Sequence, residues 1–480
     1  MKTRRLILFL VAIAVLFTTA CEDFLLKEPR LSQSNELTLS SYDGLNSATG
    51  GAYTNLCATG WYGAGLVITA DMKGGNAKRG SVVSGRYVDE YLWNNRPGAT
   101  SGLWSVAYST IAKVNNVLEV IDGGFEQVGV EQAQLDLLKG ECLFLRGLSY
   151  FDLARMYCLP YSAGTDNLGV PVVLVTENGY PARNTVGETY DRVVTDLEDA
   201  IALLPVANPR GDDGAYATKV AAQALLAKVS LYMENWQDAA TYASAVIGST
   251  GLELFSPEDY TTYDNDGYWG SGGPGKEIIF QVDGSEPNTY HGYWEAMSYM
   301  MNPEGYGDCA ASMDLINLYT EDDVRADLFL EPEDYPGEFW SLKYPGRLGA
   351  IREYNTPVLR LAEMYLIRAE ALLEGASVSG ETALNDYNAI RTNRGLAAAT
   401  SVSLNDIYAE RRRELCFEGN ELFDLARTQR SLSRTDFTGL VNKDVAFAPG
   451  GSALVNYMWA MPIPQSEVDA NVNCDQNPGY

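Results

Sequence analysis

Histidine is nearly absent: the chain of 480 residues has one, His291, and none of its seven cysteines forms a Cys-x-x-Cys pair. A zinc site built from four Cys and His ligands therefore has too few partners. Two further ion-binding motifs fail on their residues. Thr262-Tyr263-Asp264-Asn265-Asp266-Gly267 has the outline of a calcium loop, but its first position is Thr and its twelfth is Gly273. The glycine-rich run from Gly270 to Gly275 ends at Lys276, and Glu277 stands where a phosphate-cradling loop needs Ser or Thr. No Gly-x-Ser-x-Gly elbow occurs, and no cofactor is expected. Positive charge is also scarce. Lys and Arg number 35 against 63 Asp and Glu, a formal net charge of −28. A surface so charged repels nucleic acid and anionic lipid. Long apolar runs are missing except for Leu6–Phe17, shorter than the ~20 residues that cross a bilayer.

That one run has a function of its own. Met1-Lys2-Thr3-Arg4-Arg5 precedes it, and Thr18, Thr19, Ala20 and Cys21 follow. A basic head, a short apolar middle and a small-residue exit describe a secretory signal over 1–20. A cysteine directly after Ala20 resembles the bacterial lipoprotein signal, although Thr18 and Thr19 fit its usual box loosely. The expectation is cleavage after residue 20, acylation of Cys21 and a lipid-anchored protein. Cleavage removes Lys2, Arg4 and Arg5, so −28 becomes −31. The acidic pair Glu22-Asp23 resembles the signal that sends some lipoproteins to the outer face of the outer membrane. Of the remaining cysteines, Cys142 and Cys416 lie in apolar helical patterns and read as buried thiols.

Helical periodicity dominates the rest. Trp104, Tyr108, Ile111, Asn115 and Leu118 recur every three or four residues. Gln134–Tyr157, Thr189–Leu204, Thr218–Met233 and Trp236–Ile247 continue the pattern, the last two as a helical hairpin. Over 249–350 the chain turns to Gly, Pro, Tyr and Trp, with a short helix around Ala311–Tyr319. Helices return at Thr356–Glu374, Ala383–Arg391 and Leu404–Arg427, and 450–480 is extended. Val170–Val175 and Glu277–Val282 read as strands or extended loops. The fold expected is mostly α, with tetratricopeptide-like hairpins. It divides into a helical part at 21–248, a loop-rich variable region at 249–350 and a helical part with its tail at 351–480.

Several landmarks occur together. Trp104-x3-Tyr108-x2-Ile111-x3-Asn115 marks the first long helix, and Gly140–Gly147 runs into Tyr150-Phe151-Asp152-Leu153. Leu359–Ala371, Leu384-x2-Tyr387-Asn388-x2-Arg391-x2-Arg394 and Glu410–Leu415 follow, then Phe417-Glu418-Gly419 and Asp424-Leu425-x-Arg427. The tail reads Pro462-Ile463-Pro464-Gln465-x-Glu467 and ends Gln476-Asn477-Pro478-Gly479-Tyr480. This ordered set resembles the SusD/RagB family of outer-membrane nutrient-binding lipoproteins, over essentially the whole chain. The resemblance implies a non-enzymatic, lid-like protein that captures a glycan or other nutrient and passes it to a SusC-like TonB-dependent transporter. It also implies that the loop-rich part selects the ligand.

Two sets of residues call for a choice. Glu410, Glu414 and Glu418 are spaced one helical turn apart with Arg411, Arg412 and Arg413 between them. They could be paired carboxylates for glycoside hydrolysis, but ion pairs that fix helix packing are the simpler reading. Arg360, Glu363, Arg368 and Glu370 line a helix and read as packing or surface ion pairs. A sugar site needs aromatic platforms ringed by hydrogen-bonding groups. The candidates are Asp71, Asn76, Arg79, Trp93 and Asn95 in the first region. Tyr268, Trp269, Tyr293 and Trp294 form the second, and Trp340 could join them. Competing readings are a helical-repeat scaffold for a protein partner and a surface glycoside hydrolase.

Overall fold

The computed structural model describes residues 35–480 except 83, 100–101, 212, 262–268, 270–276, 285–294, 347–352 and 450–454. The chain divides into two units, 1–47 and 48–480. The second unit holds the helical frame.

Its frame is a succession of helices: α1 (Gly65–Gly74), α2 (Leu103–Asp122), α3 (Gln132–Tyr157), α4 (Val186–Leu203), α5 (Lys219–Tyr232), α6 (Trp236–Ile247), α7 (Leu361–Leu373), α8 (Ala383–Asn393), α9 (Leu404–Leu415) and α10 (Glu421–Arg427). From α2 to α8 each helix packs on the next, so α6 meets α7 although more than a hundred residues separate them. The mostly α reading holds. Local chemistry starts several of these helices. Thr185 accepts the Glu188 amide at 3.1 Å while the Glu188 carboxylate accepts the Thr185 amide at 2.8 Å, a reciprocal cap for α4. Ser403 and Asp406 do the same for α9. Alanines such as Ala221, Ala222, Ala224 and Ala227 let α5 sit buried along nearly all of its length from Ala221 to Tyr232. Gly147 on α3 allows close approach to α4, since a Cβ there would lie 3.2 Å from Leu197.

Short strands tie the loop-rich segment to this frame: β1 (Ala77–Arg79), β2 (Ile278–Val282), β3 (Cys309–Ala311), β4 (Phe329–Leu330), β5 (Trp340–Ser341) and β6 (Thr356–Arg360). β1 pairs antiparallel with β3, β2 with β6, and β4 with β5. The expected extended segment at 277–282 is thus β2. Two expected helices change form. Residues 356–360 are strand β6, because the backbone pairs with β2 and helix α7 starts only at Leu361. The helix expected over 404–427 breaks into α9 and α10 around Phe417 and Gly419, whose φ angles are +59° and +75°. Glycine occupies such a conformation at no cost, whereas Phe417 needs holding there.

Beneath these joints lies a buried ionic core. Glu414 accepts from Arg325 at 3.0 Å, from Arg360 at 3.1 Å and from Arg394 at 2.9 Å. Arg325 also binds Asp323 and Glu410, Arg360 binds Glu277 and Glu418, and Lys343 reaches Glu418 at 2.7 Å. Nearby, Arg411 pairs with Asp424 and Glu363, Arg427 with Glu370 and Asp424, and Arg368 with Asp386. The packing reading of both charged clusters is correct. The neighbouring guanidiniums hold Glu410, Glu414 and Glu418 below the usual carboxylate range against the opposing effect of burial, which is the largest influence on each. All six described cysteines are free, buried thiols, Cys142 and Cys416 among them.

Candidate functional site

The candidate residues separate into three groups. Cys21, Tyr268, Tyr293 and Trp294 lie outside the described residues. A second group is structural. Asp71 on α1 is fully buried, and its carboxylate accepts the amides of Phe417 at 2.8 Å and Gly419 at 3.2 Å. Asn76 donates to the same carboxylate at 2.9 Å and accepts from Arg412 at 2.8 Å. These two residues clamp the left-handed turn between α9 and α10, so neither faces a ligand. Burial raises the Asp71 carboxyl to about 6, with the three hydrogen bonds acting in the opposite direction. Trp340 is 1 % exposed and donates to the Gly307 carbonyl; Trp269 is 5 % exposed and donates to the Tyr260 carbonyl. Both rings pack edge-on to tyrosines, Tyr335 and Tyr260 respectively. As placed, they are packing groups rather than stacking platforms. Arg79 is half-buried at the end of β1, paired in register with Cys309.

The third group, Trp93 and Asn95, comes together at one cavity of about 430 Å³. Trp93 ends the short helix Val88–Leu92 with φ +57°. It lines the cavity but is only 1 % exposed. Behind it, Lys73 places its ammonium 3.8 Å from the ring centroid, and the indole donates to the Lys73 carbonyl at 3.1 Å. Burial brings this ammonium down to about 7, partly offset by Glu90. A chain of hydrogen bonds runs outward from it. Lys73 donates to the Asn95 side-chain oxygen at 2.8 Å, Asn95 donates to the Tyr480 hydroxyl at 2.6 Å, and Tyr480 donates to the Ala460 carbonyl at 2.9 Å. The amide orientation of Asn95 is therefore set from inside the protein.

Asp89, Asn94, Arg96 and Asn442 supply polar groups around the same cavity, with Arg96 paired to Asp89. Tyr457 supplies the open ring: it is 42 % exposed and stands edge-on to Tyr480 at 4.9 Å. The C-terminal motif builds this wall. Gln476 binds both backbone groups of Ile463 at 2.8 Å, and Asn477 donates to the carbonyls of Tyr157 and Met461. Gly479 has φ +102°, and a Cβ there would come within 2.5 Å of the Tyr457 ring. Only glycine lets the chain turn Tyr480 beneath Tyr457. Sequence reasoning overlooked Tyr457 and Asn442, which lie some 360 residues from Trp93 in sequence. It held a partial signal for Tyr480, the last residue of the terminal motif. An exposed aromatic ring within a ring of amide, carboxylate and guanidinium groups can stack on an apolar sugar face and bond its hydroxyls. Among the described residues no helix is long and apolar enough to cross a membrane, and no cluster of three or more His, Cys, Asp or Glu is arranged to hold a metal ion.

The chain has relatives of known description. A family model described as "Starch-binding associating with outer membrane" matches residues 23–231, and the SusD family model matches 347–480. A SusD-like protein from Bacteroides ovatus is 24% identical, covering 90% of this chain and 83% of that one. The crystal structure of a SusD superfamily protein from Bacteroides vulgatus superposes with a TM-score of 0.80 at 29% identity, covering 92% of this chain and 99% of that one. A laminarin-binding SusD-like protein shares the fold with a TM-score of 0.70 at 24% identity, over 91% and 99% of the two chains. Matched by family models at both ends and by whole-length folds between them, the chain belongs to the SusD/RagB family.

Proposed function

We propose that this chain is a non-catalytic receptor that captures a glycan at the cavity around Tyr457 and delivers it to a partner TonB-dependent transporter. The observation that carries the binding step is the exposed Tyr457 ring set among Asp89, Asn94, Asn95, Arg96 and Asn442. The description of the matched family as starch-binding, and a fold neighbour that binds laminarin, support a polysaccharide ligand. Acylation of Cys21 would tether the folded body to the outer membrane, facing outward, so that it can work beside a barrel without spanning the bilayer. The strongest acidic cluster offers no support for hydrolysis, because Glu410 and Glu414 are fully buried in ion pairs rather than facing a cleft.

Titration calorimetry of the purified chain with maltohexaose and laminarihexaose tests this reading. At least one should bind without release of reducing ends. Loss of one stacking ring is worth about 0.5–1.5 kcal/mol, so Tyr457→Ala should weaken binding roughly two- to twelvefold with little change in melting temperature. Arg96→Ala should weaken it as well. Unchanged affinity in both variants would move the site elsewhere. Stable association with a barrel partner and no glycan binding at all would instead favour the scaffold reading.

A further inference from the structure

We propose that the Asn95 end of the cavity recognises its glycan only through hydroxyl protons, so that the sugar unit lying there must offer an unmodified hydroxyl as donor; this rests on the glycan-binding reading above. The observation behind it is a one-way chain of hydrogen bonds. The Lys73 ammonium at one end can only donate, and the backbone carbonyls of Met458 and Ala460 at the other can only accept. Lys73 therefore faces the Asn95 side-chain oxygen, at 2.8 Å. Both Asn95 amide protons point away from it, to the Met458 carbonyl at 3.0 Å and the Tyr480 hydroxyl at 2.6 Å. Tyr480 accepts there and gives its own proton to the Ala460 carbonyl at 2.9 Å. An inverted Asn95 amide would set N–H against ammonium and carbonyl against carbonyl, so the direction of the chain is forced.

The side-chain protons at this end are all engaged. The Trp93 indole gives its proton to the Lys73 carbonyl at 3.1 Å, and the Met458 amide donates to the Asn456 side chain at 3.1 Å. Trp93, Asn95, Met458 and Tyr480 all line the cavity, and what they hold out to a ligand is acceptor capacity. The Asn95 oxygen and the Met458 carbonyl each keep a second lone pair. A sugar hydroxyl meets such an oxygen with its proton. A fluorine, a methyl ether or a carboxylate in the same place sets lone pairs against lone pairs and is disfavoured. Asn94, Arg96, Asn442 and Tyr457 carry protons elsewhere on the lining, so the restriction falls on the one unit against Asn95. The ligand class is thus a glycan unsubstituted at the hydroxyl that reaches Asn95, and Asn95 is the residue that sets this specificity.

Titration calorimetry on the intact chain tests this with maltohexaose, laminarihexaose and two series of analogues. In each analogue one hydroxyl position of every glucose unit carries hydrogen, or fluorine, which cannot donate. At one position both the deoxy and the fluoro analogue should bind at least about fivefold more weakly than the hexaose, and to a similar extent, because only the proton is recognised. In Asn95→Leu the ratio of hexaose to analogue affinity at that position should drop toward one. In Asn95→Asp, which keeps an acceptor toward Lys73, it should persist. Fluoro analogues that bind as well as the hexaose at every position overturn the inference and leave the glycan reading intact. So does a fluoro analogue that binds clearly better than its deoxy counterpart wherever affinity is lost, or a ratio that survives Asn95→Leu. Absence of binding by both hexaoses defeats both readings.

Discussion

Glu414 distinguishes a structural charge cluster from a catalytic one, and its environment permits an estimate. The side chain is fully buried and accepts from three guanidiniums, those of Arg325, Arg360 and Arg394, within 3.2 Å. Removing one partner of a buried ion pair costs about 3–5 kcal/mol because a charge is left uncompensated. Here Arg325 keeps Asp323 and Glu410, and Arg360 keeps Glu277 and Glu418. Among the described residues Arg394 keeps one carboxylate, Glu277, beside the neutral acceptors Phe255 and Asn393. The loss therefore falls mainly on Arg394, and Glu414→Ala should cost about 3–4 kcal/mol. That is a large part of the roughly 5–15 kcal/mol that ordinarily separates folded from unfolded chains. Urea unfolding followed by tryptophan fluorescence measures it, and glycan affinity of the folded variant should equal that of the parent. A loss below about 1 kcal/mol, or a stable variant that no longer binds, would refute the assignment of Glu414 to the frame.

Other outcomes follow from the same geometry. Asp71→Ala strands two buried backbone amides and the Asn76 amide, at about 1–3 kcal/mol for an unmet group; urea unfolding should show a loss of about 3–4 kcal/mol in total, while Asp71→Asn should recover part of it. Trp93→Ala opens a cavity against Lys73 and Trp459, and calorimetric melting should register a loss of about 3–5 kcal/mol; an unchanged melting temperature would contradict the burial of this ring. Gly479→Ala forces a Cβ onto Tyr457 at a left-handed position, so affinity for whichever hexaose binds the parent should fall in titration calorimetry with the melting temperature lowered only slightly. Acid should destabilise the protein. Glu410, Glu414 and Glu418 have folded pKa values depressed by arginines and Lys343. Their stabilisation is full above the unfolded value of about 4.3 and is lost as pH falls through the folded values. Asp71, raised to about 6, acts oppositely, losing stability as pH rises from about 4 to 6. Thermal melts between pH 3 and 7 should show the carboxylate cluster prevailing, with a weaker acid dependence in Glu414→Gln.

Periodicity made most of the frame legible, because a helix is specified by hydrogen bonds and side chains within a few residues of one another. The α5–α6 hairpin and the burial of Cys142 and Cys416 belong to that local class. The packing role of Glu410–Glu418 was legible as charge that must be paired, but apart from the Glu410–Arg413 pair its partners Arg325, Lys343, Arg360 and Arg394 come from other elements. The direction in which a polar or aromatic side chain points is another matter. Asp71 looked like a ligand group in a glycine-rich, looped region, yet its partners are Phe417 and Gly419, some 346 and 348 residues away. Trp93 and Trp340 lie among glycines and polar residues, and only tertiary contacts with Lys73, Trp459 and Gly307 bury them. The wall made by Tyr457 and Tyr480 depends on the tail returning to the end of α3 through Asn477. Local sequence thus determined which segments are helical and which charges must be neutralised. The three-dimensional path of the chain decided which aromatic ring stays open to a ligand, because exposure is set by neighbours distant in sequence.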